Sequence, residues 1–178
     1  KMTKDLAGAI WMFSYGGILK LDKDGNLHKI NSLGETFGNN DEYPADIQFK
    51  KNGHAWIVST NSSLYYYSPV DATLNKRYTS TKKGNNPWVT NKLVLDSLEN
   101  VWFTTNEGLV RFDEGKNSFE RIGKATGQSL ITTLKFDTFG TLWLGTVGDG
   151  LFKYDKKTVF RSYSHDNSNV LASLSPGW

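Results

Sequence analysis

The chain has 178 residues, 38% of them hydrophobic and 13% aromatic, with a formal net charge of +3 and no cysteine. That is ample apolar material for a core and too much for a disordered segment. Lys and Arg are scattered among Asp and Glu, with no basic stripe, so nucleic acid is not an expected partner. No run approaches the roughly 20 apolar residues of a membrane span, so this segment is not expected to contact a membrane. Without cysteine there are no disulfides, thiol catalysis or Cys-based zinc sites. Lys1 to Asp5 run straight into patterned material, so no signal peptide is expected.

Taken in order, the chain repeats itself four times. Trp11, Trp56, Trp102 and Trp143 stand 45, 46 and 41 residues apart. Six residues before each stands Asp5, Lys50, Asp96 or Asp137, and three before stands Gly8, Gly53, Glu99 or Gly140. Short strands bounded by Gly and Asp turns, at a period of about 40–45 residues with a fixed Trp, indicate propeller blades. The approximate repeats are 1–44, 45–90, 91–130 and 131–178.

The first repeat shows strands at Ala9 to Phe13, Ile18 to Leu21 and Leu27 to Ile30, with Lys1 to Lys4 as a stub of an innermost strand. The second reads Asp46 to Phe49, Ala55 to Ser59, Leu64 to Tyr67 and Asn75 to Tyr78. The third reads Lys92 to Leu95, Val101 to Thr104, Leu109 to Phe112 and Phe119 to Ile122. The fourth reads Ile131 to Phe136, Leu142 to Thr146, Leu151 to Tyr154 and Val159 to Tyr163.

Each unit is expected to be a four-stranded antiparallel meander, with strands A to D. The second strand is apolar on both faces, as a strand sandwiched between sheets must be. The fold expected is all-β, with about four propeller blades. Alternate connections of a meander share a side. The long loops (Ser32 to Tyr43, Ser80 to Thr90, Gly123 to Ser129) therefore lie with the B–C loops on one face, and the short turns lie on the other. The chain ends on Pro176-Gly177-Trp178 where a further strand is due, so it is expected to be part of a longer array.

The pattern Asp-x-x-Gly-x-Leu-Trp-Leu-x-Thr, then Gly-Leu-x-Lys-Tyr-Asp, closely resembles the two-component regulator propeller repeat. Leu142-Trp143-Leu144-Gly145-Thr146 and Gly150-Leu151-Phe152-Lys153-Tyr154-Asp155 carry that resemblance most closely. It implies the periplasmic sensor region of a hybrid sensor histidine kinase from Bacteroidetes-type gut bacteria. The implied parent is a membrane-anchored homodimer in which these four blades form an arc of a larger, seven-bladed propeller beside further blades, and several relatives sense oligosaccharides. The matching residues are structural, so no ligand-binding role is carried over.

The recurring Trp residues are expected to fill the space between blades rather than to stack on sugars. Asp22-Lys23-Asp24-Gly25-Asn26 has Gly fourth rather than sixth, which fits a hairpin turn and not a calcium loop. The turns resemble the Asp box of sialidases in chemistry, but their offsets differ. His28, His54 and His165 occupy non-equivalent places and suggest solvated side chains. No metal, cofactor or catalytic residue is expected. The candidate ligand contacts lie on the loop face: Tyr15, Tyr43 and Trp88, which break the repeat, with Asn61, Asn106 and Asp149. The expected function is non-catalytic sensing of an oligosaccharide. The alternatives are a propeller lyase or glycosidase, which would need clustered His, Glu, Arg or Tyr, and an interaction scaffold.

Overall fold

The computed structural model describes residues 1–14, 17–30, 37, 42–78, 91–105, 108–123, 131–155 and 159–163. Within them lie four antiparallel sheets of four strands each. Blade 1 holds β1 (Met2–Lys4), β2 (Ile10–Ser14), β3 (Gly17–Leu21) and β4 (Leu27–Lys29). Blade 2 holds β5 (Pro44–Phe49), β6 (Ala55–Ser59), β7 (Leu64–Ser68) and β8 (Thr73–Tyr78). Blade 3 holds β9 (Leu93–Leu95), β10 (Val101–Thr105), β11 (Gly108–Asp113) and β12 (Ser118–Gly123). Blade 4 holds β13 (Ile131–Phe136), β14 (Leu142–Thr146), β15 (Leu151–Asp155) and β16 (Val159–Tyr163). Each sheet pairs its strands in chain order, which is the expected meander.

The strands fall where the pattern put them, with ends that differ by a residue or two. Pro44, expected in the preceding loop, opens β5 opposite Ser59. It is tolerated because β5 is the edge of its sheet, where a missing N–H breaks no ladder.

The A–B turns are built by the leading Asp. In blade 3, Asp96 Oδ1 accepts the backbone N–H groups of Leu98 and Asn100 at 3.0 and 2.9 Å. In blade 4, Asp137 Oδ1 accepts those of Phe139 and Thr141 at 2.9 and 2.8 Å. The residue three places on must enter the left-handed region: Gly140 has φ +77°, and Glu99 takes φ +63° at the same place.

The core lies between the blades, in three separate layers. All five residues of β6 are buried, since Trp56 and Val58 face blade 3 while Ala55 and Ile57 face blade 1. The rule repeats. Trp11 packs on Phe49 and Tyr67, with ring centroids 5.1 and 5.8 Å away. Trp56 packs on Phe112 at 5.2 Å, and Trp102 on Phe136 and Tyr154 at 5.9 and 5.3 Å. Each Trp of one blade thus meets an aromatic row on the next. Burying an indole of this size removes roughly 150–250 Å² from water. At about 25 cal/mol per Å² that is worth roughly 4–6 kcal/mol before ordering costs.

Two sheet faces have no following blade among the described residues. Trp143, expected to be buried like the others, is only half-buried and leans on Tyr163 of its own blade, 5.8 Å away. The back of blade 1 exposes Ile10 at 40% and Met2 at 70%. The expectation for Trp143 is corrected for a plain reason: burial comes from the neighbouring blade, and no fifth blade is described.

Candidate functional site

The spacing of six residues between Asp and Trp does more than shape a turn. The second carboxylate oxygen of Asp5, Asp96 and Asp137 accepts the indole Nε1–H of Trp11, Trp102 and Trp143 at 2.9, 3.1 and 2.9 Å. The residue across the ladder from each Trp is a cation: Lys20, Arg111 and Lys153, lying 5.3, 5.7 and 5.9 Å from the ring. Hydrogen bonding decides the charge of these carboxyls. Burial pushes Asp96 up, but bonds from Asn100 and Trp102 and the turn amides outweigh it and hold Asp96 below the usual carboxylate range. Asp137 is lowered first by the Trp143 indole.

Blade 2 inverts this unit. Lys50 replaces the Asp, Tyr66 replaces the cation, and Trp56 Nε1 is buried with no acceptor among the described residues. The Lys50 ammonium, 9% exposed, turns instead to Glu114 of blade 3 at 2.5 Å. Beside it, the backbone N–H of Lys51 donates to Glu99 Oε1 at 2.8 Å, so two glutamates of blade 3 clasp one turn of blade 2. His54 stacks on Tyr66 with ring centroids 5.3 Å apart.

The loop face of blade 2 holds a buried polar cluster that the sequence pattern did not reveal. Glu42 Oε1 accepts the Ser59 and Tyr65 hydroxyls at 2.5 and 2.8 Å, and Lys76 lies 3.5 Å from its other oxygen. Burial, reinforced by Glu42, pushes the Tyr65 phenol far above its ordinary value. The neighbouring Tyr43 is tied down: its N–H donates to Thr60 Oγ1 at 3.0 Å, and its carbonyl accepts the Thr60 N–H at 2.8 Å.

Of the expected ligand contacts, Tyr43 and Asn61 share the loop face of blade 2 and are both half-buried. Asp149, also half-buried, stands two blades away in the β14–β15 loop. Tyr15, Trp88 and Asn106 lie outside the described residues, as does His165. The expectation of solvated histidines holds for His28, whose side chain is 54% exposed, and needs correction for His54. His28 Nε2 lies 2.8 Å from Asp22 Oδ2, which holds Asp22 down at about 2 together with the turn amides. His54 Nδ1 is buried without a partner among the described residues. Asp22 Oδ1 accepts the N–H groups of Asp24 and Asn26, the hairpin turn that was expected there.

The turn face carries a groove between blades 3 and 4, of about 510 Å³, lined by Leu98, Trp102, Arg111, Phe136, Leu142 and Tyr154. Arg111 reaches two carboxylates only at long range, Glu120 at 3.5 Å and Asp113 at 3.6 Å. Its Nε is buried and unpartnered among the described residues. No helix among the described residues is long and apolar enough to cross a membrane, which leaves β-barrel spans unaddressed.

No protein-family model matches the sequence, and no curated protein matches it. Solved structures do. Two structures of the extracellular domain of a protein described as the one-component or hybrid two-component system BT4673 from B. thetaiotaomicron align over 98% of this chain, with TM-scores of 0.78 and 0.77 at 20% and 19% identity. The corresponding domain of BT3049 from the same organism aligns over 98% with TM-score 0.69 at 20% identity. A gluconolactonase, XC5397 of Xanthomonas campestris, aligns over 89% with TM-score 0.66 at 14% identity, and this chain covers 59% of it. The chain spans only 23% of the BT4673 domain and 22% of the BT3049 domain. In fold, this chain is an arc of four propeller blades similar to a stretch of the extracellular domains of Bacteroides hybrid two-component systems.

Proposed function

We propose that the chain is a non-catalytic, ligand-sensing propeller segment of the extracytoplasmic, periplasmic part of a hybrid sensor histidine kinase, responding to an oligosaccharide. The observation that carries this reading is the blade-for-blade likeness to the BT4673 and BT3049 extracellular domains over 98% of the chain. The chemistry of the described residues supports it. Asp5, Asp96 and Asp137 are occupied by indoles, Asp22 by His28, and Glu42 by Ser59 and Tyr65. A general base must be within reach of a substrate proton, and these carboxylates are engaged in holding turns and strands.

In the membrane-anchored parent, the segment packs against further blades and pairs in a homodimer. A ligand that prefers one dimer arrangement over another shifts the balance between them, and the membrane segment passes that shift to the kinase.

The test is calorimetric titration of the complete sensor domain with neutral and acidic glycan fragments, alongside gluconolactone turnover by the same sample. Saccharide binding without turnover is the expected result. Lactone hydrolysis, or tight binding of a nucleotide or metal ion with no response to any sugar, overturns the reading.

A further inference from the structure

We propose that the groove between blades 3 and 4, on the turn face opposite the long loops, is a binding site for a carboxylate-bearing sugar unit. The carboxylate sits on the fork of Arg111, and the apolar flank of the ring sits on Leu98. The proposal rests on the sensor reading above and narrows its ligand from a glycan to an acidic one.

Three observations converge. The groove holds about 510 Å³, room for one or two sugar rings. The Nε–H of Arg111 is buried with no acceptor among the described residues. A buried donor left unmade is costly, and because this one is closed off from solvent a carboxylate in the groove meets the exposed part of the side chain, which is 22% exposed, and gains the Nε–H by a small turn of the guanidinium. Among the described residues the guanidinium is otherwise held by the face of Trp102, 5.7 Å away, and by carboxylate contacts at 3.5 and 3.6 Å, and Glu120, whose side chain is 61% exposed, can move into solvent as a ligand enters.

The residue type fits as well. The equivalent positions of blades 1 and 4 are Lys20 and Lys153, whose point charge lies over the Trp ring. At blade 3 the cation is instead an arginine, whose planar fork matches a carboxylate with two parallel hydrogen bonds. Lys153 also lines the groove and adds positive charge, and Asp96 does not oppose an anion strongly, because both its oxygens already accept bonds from Leu98, Asn100 and Trp102.

The rim is apolar where a turn face is normally polar. Leu98 is 81% exposed at the tip of its turn, and Phe139 is 92% exposed at the same place on the next blade. Blade 2 carries Asn52 there. Of the two tips Leu98 lines the groove, and an apolar tip beside a cation suits a sugar ring, which offers a C–H flank and a charged substituent at once.

The experiment titrates the 178-residue chain with trigalacturonic acid, its neutral methyl ester and a sulfated trisaccharide of similar size. Trigalacturonic acid should bind, with the ester at least about tenfold weaker. Arg111→Lys, which keeps the charge and removes the fork, should weaken it by about tenfold while thermal unfolding stays near that of the unsubstituted chain. Leu98→Asp, on an exposed tip that the fold does not need, should abolish binding by repulsion. Uronate binding that neither variant changes overturns the proposal, and so does equal binding of the sulfated sugar. A neutral oligosaccharide bound equally by all three proteins overturns the groove but leaves the sensor reading standing. Binding of no saccharide by this chain or the complete sensor domain, with lactone turnover instead, overturns both.

Discussion

Lys50 of blade 2 and Glu114 of blade 3 form an ion pair at 2.5 Å across the blade interface, in the one unit where Trp56 lacks the aspartate that serves the other three tryptophans. The lysine, 9% exposed, has exchanged a bond within its blade for one between blades. Glu114 is 39% exposed, so solvent screens part of the attraction.

Removing Glu114 leaves a nearly buried ammonium without its partner. Glu114→Gln should therefore cost roughly 1–2 kcal/mol, less than a fully buried pair would. Lys50→Asp alone restores the acceptor for Trp56 but faces Glu114, so it should destabilise. Lys50→Asp with Glu114→Lys should recover most of that loss. A double-mutant cycle by urea unfolding reads the coupling, and additive single effects would show that the pair does not couple the blades.

Trp102 is 4% exposed between two blades, whereas Trp143 is half-buried with no blade beyond it among the described residues. Trp102→Ala should cost roughly 3–5 kcal/mol, the usual loss for a core aromatic. Trp143→Ala in this chain should cost only about 1–2 kcal/mol, because less area is lost. Both are to be compared with Lys116→Ala at an exposed turn position. Equal losses for the two tryptophans would contradict burial by the following blade.

The three indole-binding aspartates should make stability depend on acid. Asp5 and Asp96 are pushed up by burial but lowered more by their hydrogen bonds, and Asp137 is lowered by Trp143 and its turn amides. A folded pKa below the unfolded value of about 3.9 means the stabilisation is fully present above that pH. It disappears as pH falls through the folded pKa values. Urea unfolding between pH 7 and pH 2.5 should therefore show a decline below about pH 4. The decline should be shallower in Asp96→Asn, and an unchanged slope would count against the carboxylate role.

Gly145 faces Thr133 so closely that an added Cβ would stand 2.7 Å from its Cγ2. Gly145→Ala should cost roughly 1–3 kcal/mol through overpacking at the β13 irregularity. Thr133→Ser removes the clashing methyl and should recover much of that loss. If the two changes are simply additive in thermal unfolding, the close approach is not the cause.

The sequence by itself determined the blade. The two-faced apolar run of β6, the Gly and Asp turns and the six-residue Asp–Trp spacing are local, and each recurs, so strand positions and the meander are legible from periodicity alone. What covers each face is non-local, and only the tertiary structure decided it. Trp56 and Trp143 occupy the same place in the repeat, yet one is 1% exposed and the other half-buried, because among the described residues only the first has a following blade. The same holds for the candidate site. Arg111 reads in the sequence as the repeat's ordinary basic position, opposite Trp102 as Lys20 is opposite Trp11. Its long contacts to Asp113 and Glu120 lie within blade 3, but the groove it lines arises only when blades 3 and 4 stack, bringing side chains about forty residues apart along the chain to one surface.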